Sequence, residues 1–183
     1  MRRTTALLVG VLMAVGLVAA PALAKGPKAP GTDSIYDIVE SNPDFSTLKF
    51  ALDTAGLDGA VKDESVQLTV FAPTNDAFVK AAEELGFDGD VLALATYLVE
   101  NDLLDDVLLY HVTEGRRFAN SVVNKNNPKA IETLLGAYVT STPGSMLVDA
   151  APSTSNANIG PANISASNGV IHVIDNVLVP LNI

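Results

Sequence analysis

The chain has 183 residues, with 21 Asp and Glu against 11 Lys and Arg, a net charge of −10 and no cysteine. It lacks the clustered Lys and Arg that phosphate binding requires, which excludes nucleic acid as a partner and disfavours an anionic membrane surface. Without cysteine there are no disulfides, thiolate metal sites or thiol nucleophiles, so stability has to come from an apolar core.

Residues 1–24 read as an export signal: a basic start at Arg2 and Arg3, an apolar run over 6–20, and an A-x-A cleavage site at Ala22 and Ala24. The run is shorter than the ~20 residues of a membrane-spanning helix, so a cleaved signal is expected rather than an anchor. Residues 25–33 are a Pro/Gly linker, and 34–183 form one domain.

Asp33 or Ser34 can cap a helix over 34–41, which Asn42-Pro43 interrupts because proline disfavours helical geometry in the residue before it. A second helix over 44–55 carries Phe45, Leu48, Leu52 and Ala55 on one stripe, and Gly56 ends it. The run 66–72 is β-rich and apolar on both faces, the mark of a strand covered on both sides. Pro73 stops it and a helix over 75–85 follows; Thr74 or Asn75 can accept from its first amides, while Asp76 faces the positive end of its dipole.

Two more helices are expected over 90–101 and 102–112. The second aligns Leu104, Val107, Leu108 and His111. From Thr113 the pattern turns to strands, over 116–123, 137–142, 146–150 and 162–167, with 151–168 mostly loop containing one short strand. The last segment, 169–180, is apolar on both alternating faces and reads as a central strand, with His172 between Val170 and Ile174. Both histidines fall in apolar settings, where a buried imidazole needs a partner. We expect them to bond to each other or to the 74–76 corner.

Three stretches, "TVFAPTNDAF" (69–78), "LLYHV" (108–112) and "ASNGVIHVIDNVLVP" (166–180), resemble in order and spacing the first box, the Tyr-His motif and the second box of the fasciclin-like adhesion domain. The resemblance covers 34–180 and implies an α+β fold, a β-wedge of two short sheets with helices packed against it and the two boxes on adjacent central strands. It also implies an exported, non-catalytic protein of cell adhesion or cell-surface interaction. Binding in adhesive members is assigned around the Tyr-His motif, here Tyr110 and His111 with Leu108, Leu109 and Val112. The boxes contribute Thr74, Asn75 and Asp76, then Asn168, Gly169 and His172, as structural motif residues. Some members of the broader family bind carotenoids, which implies a second reading, a carrier of an apolar small molecule.

A hydrolase ranks third, since no G-x-S-x-G elbow exists. There is no ligand-spaced histidine cluster and no D-x-D-x-D-G loop, so neither a metal nor a cofactor is expected. Asn163-Ile164-Ser165 matches a glycosylation sequon, which matters only in a eukaryotic secretory pathway; the layout suits a bacterial source, and the match is read as coincidence. The expected protein is secreted, extracellular or, in a Gram-negative host, periplasmic. Its expected partner is a cell-surface or matrix protein or glycan, with an apolar small molecule as the alternative and no membrane span after signal removal.

Overall fold

The computed structural model describes residues 31–151 and 153–180; the export signal and the linker through residue 30 lie outside the described residues. Helix α1 (Ile35–Ser41) starts at Ser34, which forms a reciprocal capping box with Asp37. Asn42 then caps a single 3-10 turn, Pro43–Phe45. Helix α2 (Ser46–Ala55) stops at Gly56, whose φ of 68° is the left-handed conformation that glycine adopts without strain. The short α3 (Asp58–Lys62) leads to strand β1 (Leu68–Pro73), in which every residue is buried, as its apolar faces imply. Helices α4 (Asn75–Glu84), α5 (Val91–Glu100) and α6 (Leu104–Tyr110) follow.

The expected strand over 116–123 is not there. Strand β2 covers Val112–Glu114, the chain turns at Gly115, and α7 spans Ala119–Val122. Distant partners, absent from the local pattern, claim the backbone of this stretch: the Arg117 N–H donates to Thr69 Oγ1, the Arg117 carbonyl accepts from His172, and the Ala119 N–H donates to Asn163 Oδ1. Strands β3 (Lys129–Glu132), β4 (Tyr138–Ser141) and β5 (Met146–Val148) come next. The expected loop carries two short strands rather than one, β6 (Ala157–Asn158) and β7 (Ile164–Ala166). The last strand, β8 (Gly169–Ile174), ends earlier than its apolar pattern suggests. Beyond it the amides of Val177, Leu178 and Val179 go to side chains instead of a neighbouring strand.

The strands make two four-stranded sheets, ordered β2-β1-β8-β7 and β3-β4-β5-β6. The two motif strands lie side by side at the centre of the first, parallel and in register from Leu68 with Gly169 to Pro73 with Ile174. Their alternation splits the interior in two. Leu68, Val70, Ala72, Ile171 and Val173 meet the helices α1, α2 and α4–α6, while Phe71 and Ile174 meet Ile131, Val139 and Leu147 from the second sheet. The wedge between the sheets is thus a small separate core, capped by Tyr110 and Val122.

Candidate functional site

The corner after β1 does more than start a helix. Thr74 accepts from the Ala77 N–H and caps α4. Asn75 instead ties α4 to α2: its Oδ1 accepts from the Thr47 N–H at 3.0 Å and the Ser46 hydroxyl at 3.2 Å, and its Nδ2 donates to the Pro43 carbonyl at 2.9 Å. Asp76 is exposed and bonds to neither histidine. By fixing α4 against α2, the corner holds open one side of a groove.

That groove lies among α2, α4, α5 and α6 and has a volume of about 340 Å3. Its lining is almost wholly apolar: Phe78 from α4 and Leu85 just after it, Leu94 and Leu98 from α5, and Leu108 with His111 at the end of α6. Ser46 and Thr47 are the hydroxyl-bearing residues of the lining, and Val177 and Val179 form one wall. At the mouth, Phe50 is 56% exposed and Leu92 69% exposed, large apolar side chains left in water. Such surface costs free energy unless something covers it.

The Tyr-His residues are divided by this architecture. Leu108 and His111 face the groove, both with little exposure, whereas Tyr110 is fully buried in the wedge core and donates its hydroxyl to the Tyr138 carbonyl at 3.0 Å. Val112 is buried on β2 and Leu109 is half-buried. The structure therefore brings together only part of the set that the motif suggests, and it presents that part from inside a groove rather than on an open surface. Burial and the nearby Asp149 carboxylate raise the Tyr110 hydroxyl above its ordinary pKa.

The histidines bond neither to each other nor to the corner, contrary to the sequence expectation. His111 donates from Nδ1 to the Val107 carbonyl at 2.7 Å and accepts at Nε2 from the Leu178 N–H at 2.9 Å. His172 donates from Nε2 to the Arg117 carbonyl at 2.8 Å, accepts at Nδ1 from the Asn163 N–H at 3.4 Å, and stacks on Phe71 with ring centroids 5.9 Å apart. These partners assign opposite neutral tautomers to the two rings. Burial pushes His111 down to about 4, partly offset by the Val107 carbonyl, and lowers His172 in the same way. With both nitrogens of both rings engaged by backbone, neither ring is placed to take a proton from a serine.

The second-box residues Asn168 and Gly169 build the fold. Asn168 is fully buried, accepts from the Ile35 N–H at 2.8 Å and donates to the carbonyls of Val61 and Asp63. It fastens α1 and α3 to the turn before β8. Among the described residues every buried side-chain nitrogen or oxygen has a partner, and no group of three or more His, Asp or Glu is placed to hold a metal ion. The sequence reading missed Phe50, Phe78, Leu92 and Leu98 as site residues. A signal for Leu92 and Leu98 exists in α5, where Val91, Leu92, Leu94, Leu98 and Val99 leave no fully polar face, so a helix at the surface still has apolar residues to cover.

The chain is similar to known proteins. The chain is 39% identical over 153 residues to protein sll1483 of Synechocystis, covering 81% of this chain and 76% of that protein. It is 31% identical over 157 residues to the immunogenic protein MPB70 of Mycobacterium bovis, covering 81% and 69%. It is also 31% identical over 151 residues to the transforming growth factor-beta-induced protein ig-h3 of Sus scrofa, covering 81% of this chain but only 20% of that larger protein. Among solved structures, a FAS1 domain pair from the insect cell adhesion molecule Fasciclin I superposes with a TM-score of 0.62 at 14% identity, over 80% of this chain and 51% of that one, which establishes the shared fold. The Fasciclin domain profile matches residues 43–180, and the chain belongs to the Fasciclin domain family.

Proposed function

We propose that this chain is an exported, non-catalytic interaction module and that the groove among α2, α4, α5 and α6 is its recognition element. The observation that carries the reading is the groove itself: almost wholly apolar, framed by the Asn75 bridge, and rimmed by exposed Phe50 and Leu92. Such a surface suits the apolar side chains of a cell-surface or matrix protein. A glycan would find few donors or acceptors on this lining. The naming of the insect neighbour as a cell adhesion molecule supports the same direction. No helix among the described residues is long and apolar enough to cross a membrane.

The groove's depth, reaching Leu108 and His111, supports a second reading, a carrier of an apolar small molecule. At about 340 Å3 it lies near the lower end of the ~300–1,000 Å3 typical of small-molecule sites.

One experiment tests both. The chain is purified from its own host's exported fraction and studied by native mass spectrometry with an absorption spectrum. The labelled chain and a Phe50→Ser, Leu92→Ser variant are then tested for binding to host cells. Because both side chains are exposed, the variant should melt like the parent. A bare mass with cell binding that the variant loses supports the interaction module; extra mass released by organic solvent supports the carrier; cell binding retained by the variant refutes the groove as the contact.

A further inference from the structure

One wall of the groove is held in an unusual way. Strand β8 ends at Ile174, and the strip 176–179 that follows has no strand beside it among the described residues, yet Val177, Leu178 and Val179 are at most 4% exposed. Each of their amides is accepted by a side chain: Asn176 Oδ1 at 3.0 Å, His111 Nε2 at 2.9 Å and Asp149 Oδ2 at 2.8 Å, in that order. The Asn176 Nδ2 in turn donates to the Ser155 carbonyl and to Glu84 Oε2. Val177 and Val179 face the groove, while Leu178 is anchored in the wedge core.

These acceptors respond differently to acid. A protonated Asp149 keeps a free carbonyl oxygen that can still accept, and Glu84, which also accepts from the Ser155 N–H and hydroxyl, reaches the strip only through the Asn176 side chain. A protonated imidazole has two N–H groups and no lone pair, so it cannot accept from Leu178 at all. It would also place an uncompensated charge in an apolar interior.

Resting on the groove as the recognition element, we propose that His111 is a latch for it: protonation at Nε2 frees the Leu178 amide, lets the strip 176–179 shift, and loosens the grip on an apolar occupant. The charged residues of the surrounding elements are Lys49 and Asp53 on α2, Asp76, Lys80, Glu83 and Glu84 on α4, Asp90 and Glu100 at the ends of α5, Asp105 and Asp106 on α6, Asp149 after β5, which accepts from Val179, and Asp175 before the strip. None is among the influences on the ring, which are burial and the Val107 carbonyl. The ring titrates at about 4, so the latch answers to strong acidity rather than to small changes near neutrality. Linkage makes the effect reciprocal: an occupant that prefers the closed wall makes His111 harder to protonate.

The test uses the purified chain. Amide hydrogen exchange, corrected for intrinsic rates, is followed from about pH 7 to about pH 4, together with binding of the neutral apolar dye Nile red. The expected result is loss of protection at Leu178 and Val179 while Val70 and Ile171 in the central ladder stay protected. Dye affinity should fall about twofold by about pH 4, where about half of the rings carry the proton and only the neutral form keeps the closed wall. In His111→Gln, whose side-chain oxygen accepts without titrating in this range, both responses should vanish.

Loss of protection in the strip and ladder together, or an unchanged acid response in His111→Gln, overturns the latch. Should that variant fail to fold, exchange in the parent chain decides alone. Dye that never binds, with the strip still loosening, refutes the groove reading and leaves the latch standing. Dye that binds equally at both extremes, with the strip protected, does the reverse.

Discussion

Replacing Gly169 by alanine puts the parallel pairing of the two motif strands under direct test. A Cβ at this position would lie 2.1 Å from the Leu68 carbonyl oxygen and 2.7 Å from Ile35 Cδ1. Ordinary C···O contacts stay near ~3.3–3.6 Å, so more than about 1 Å has to be recovered. The Ile35 methyl can rotate away. The Leu68 carbonyl cannot, because it belongs to the strand paired in register with β8 and flanked on its other side by β2. Overpacking a core costs about 1–3 kcal/mol, and a clash with central backbone belongs at the top of that range, about 3 kcal/mol. At ~2–4 °C per kcal/mol for a chain of this size, the expected fall in Tm is about 6–12 °C by circular dichroism. Gly59→Ala serves as the control: its Cβ meets nothing within 4 Å in α3, and alanine is favoured there by up to about 1 kcal/mol. A Gly169→Ala protein melting within about 2 °C of the parent would show that β1 and β8 do not approach as described.

Asn168→Ala leaves the Ile35 N–H and the Val61 and Asp63 carbonyls without their partner, and at ~1–3 kcal/mol for each orphaned group the loss should be about 3 kcal/mol or more, read from urea unfolding. His172→Leu removes the bond to the Arg117 carbonyl and the stack on Phe71; it should lower stability by about 2–4 kcal/mol with groove binding untouched, and an unchanged Tm would refute the role. Stability should also depend on pH with a definite sign. His111 binds a proton less readily folded than unfolded, so stability is full above its ordinary value of 6.5 and declines as the pH falls toward about 4, by about 3 kcal/mol at ~1.36 kcal/mol per pKa unit. Burial lowers His172 in the same direction, whereas buried Asp149, raised above 3.8, opposes them by favouring the fold at lower pH. Denaturant midpoints taken from about pH 7 to about pH 4 should fall, and the fall should shrink in His111→Gln.

Much of the helical half was legible because its signals are local. The helix cap at Ser34, one of two candidates with Asp33, the glycine stop at 56 and the corner after Pro73, capped by Thr74 rather than Asn75, need only neighbours within a few residues. The central position of the two motif strands was legible too, since apolar residues on both faces leave only a covered strand. The stretch 116–123 failed for the opposite reason: Thr69, His172 and Asn163, all more than 40 residues away, take its backbone bonds, and no local pattern records them.

The candidate site divides along the same line. From residue types alone it followed that His111 and His172 had to be buried with partners and that catalysis lacked its usual elements; the binding role of the Tyr-His segment came from the family resemblance, and residue types left Tyr110 open between a core anchor and a contact patch. Only the tertiary structure decided that Tyr110 and His111, adjacent in the chain, serve different cores, and that Leu108 and His111 close a groove whose other sides come from α2, α4 and α5. Periodicity says which face of an element is apolar; it does not say how far apart two such faces are held. Here Asn75 sets the position of α4 against α2, and His111 and Asp149 hold the strip 176–179 against the end of α6, so the opening between them exists only once the chain has folded.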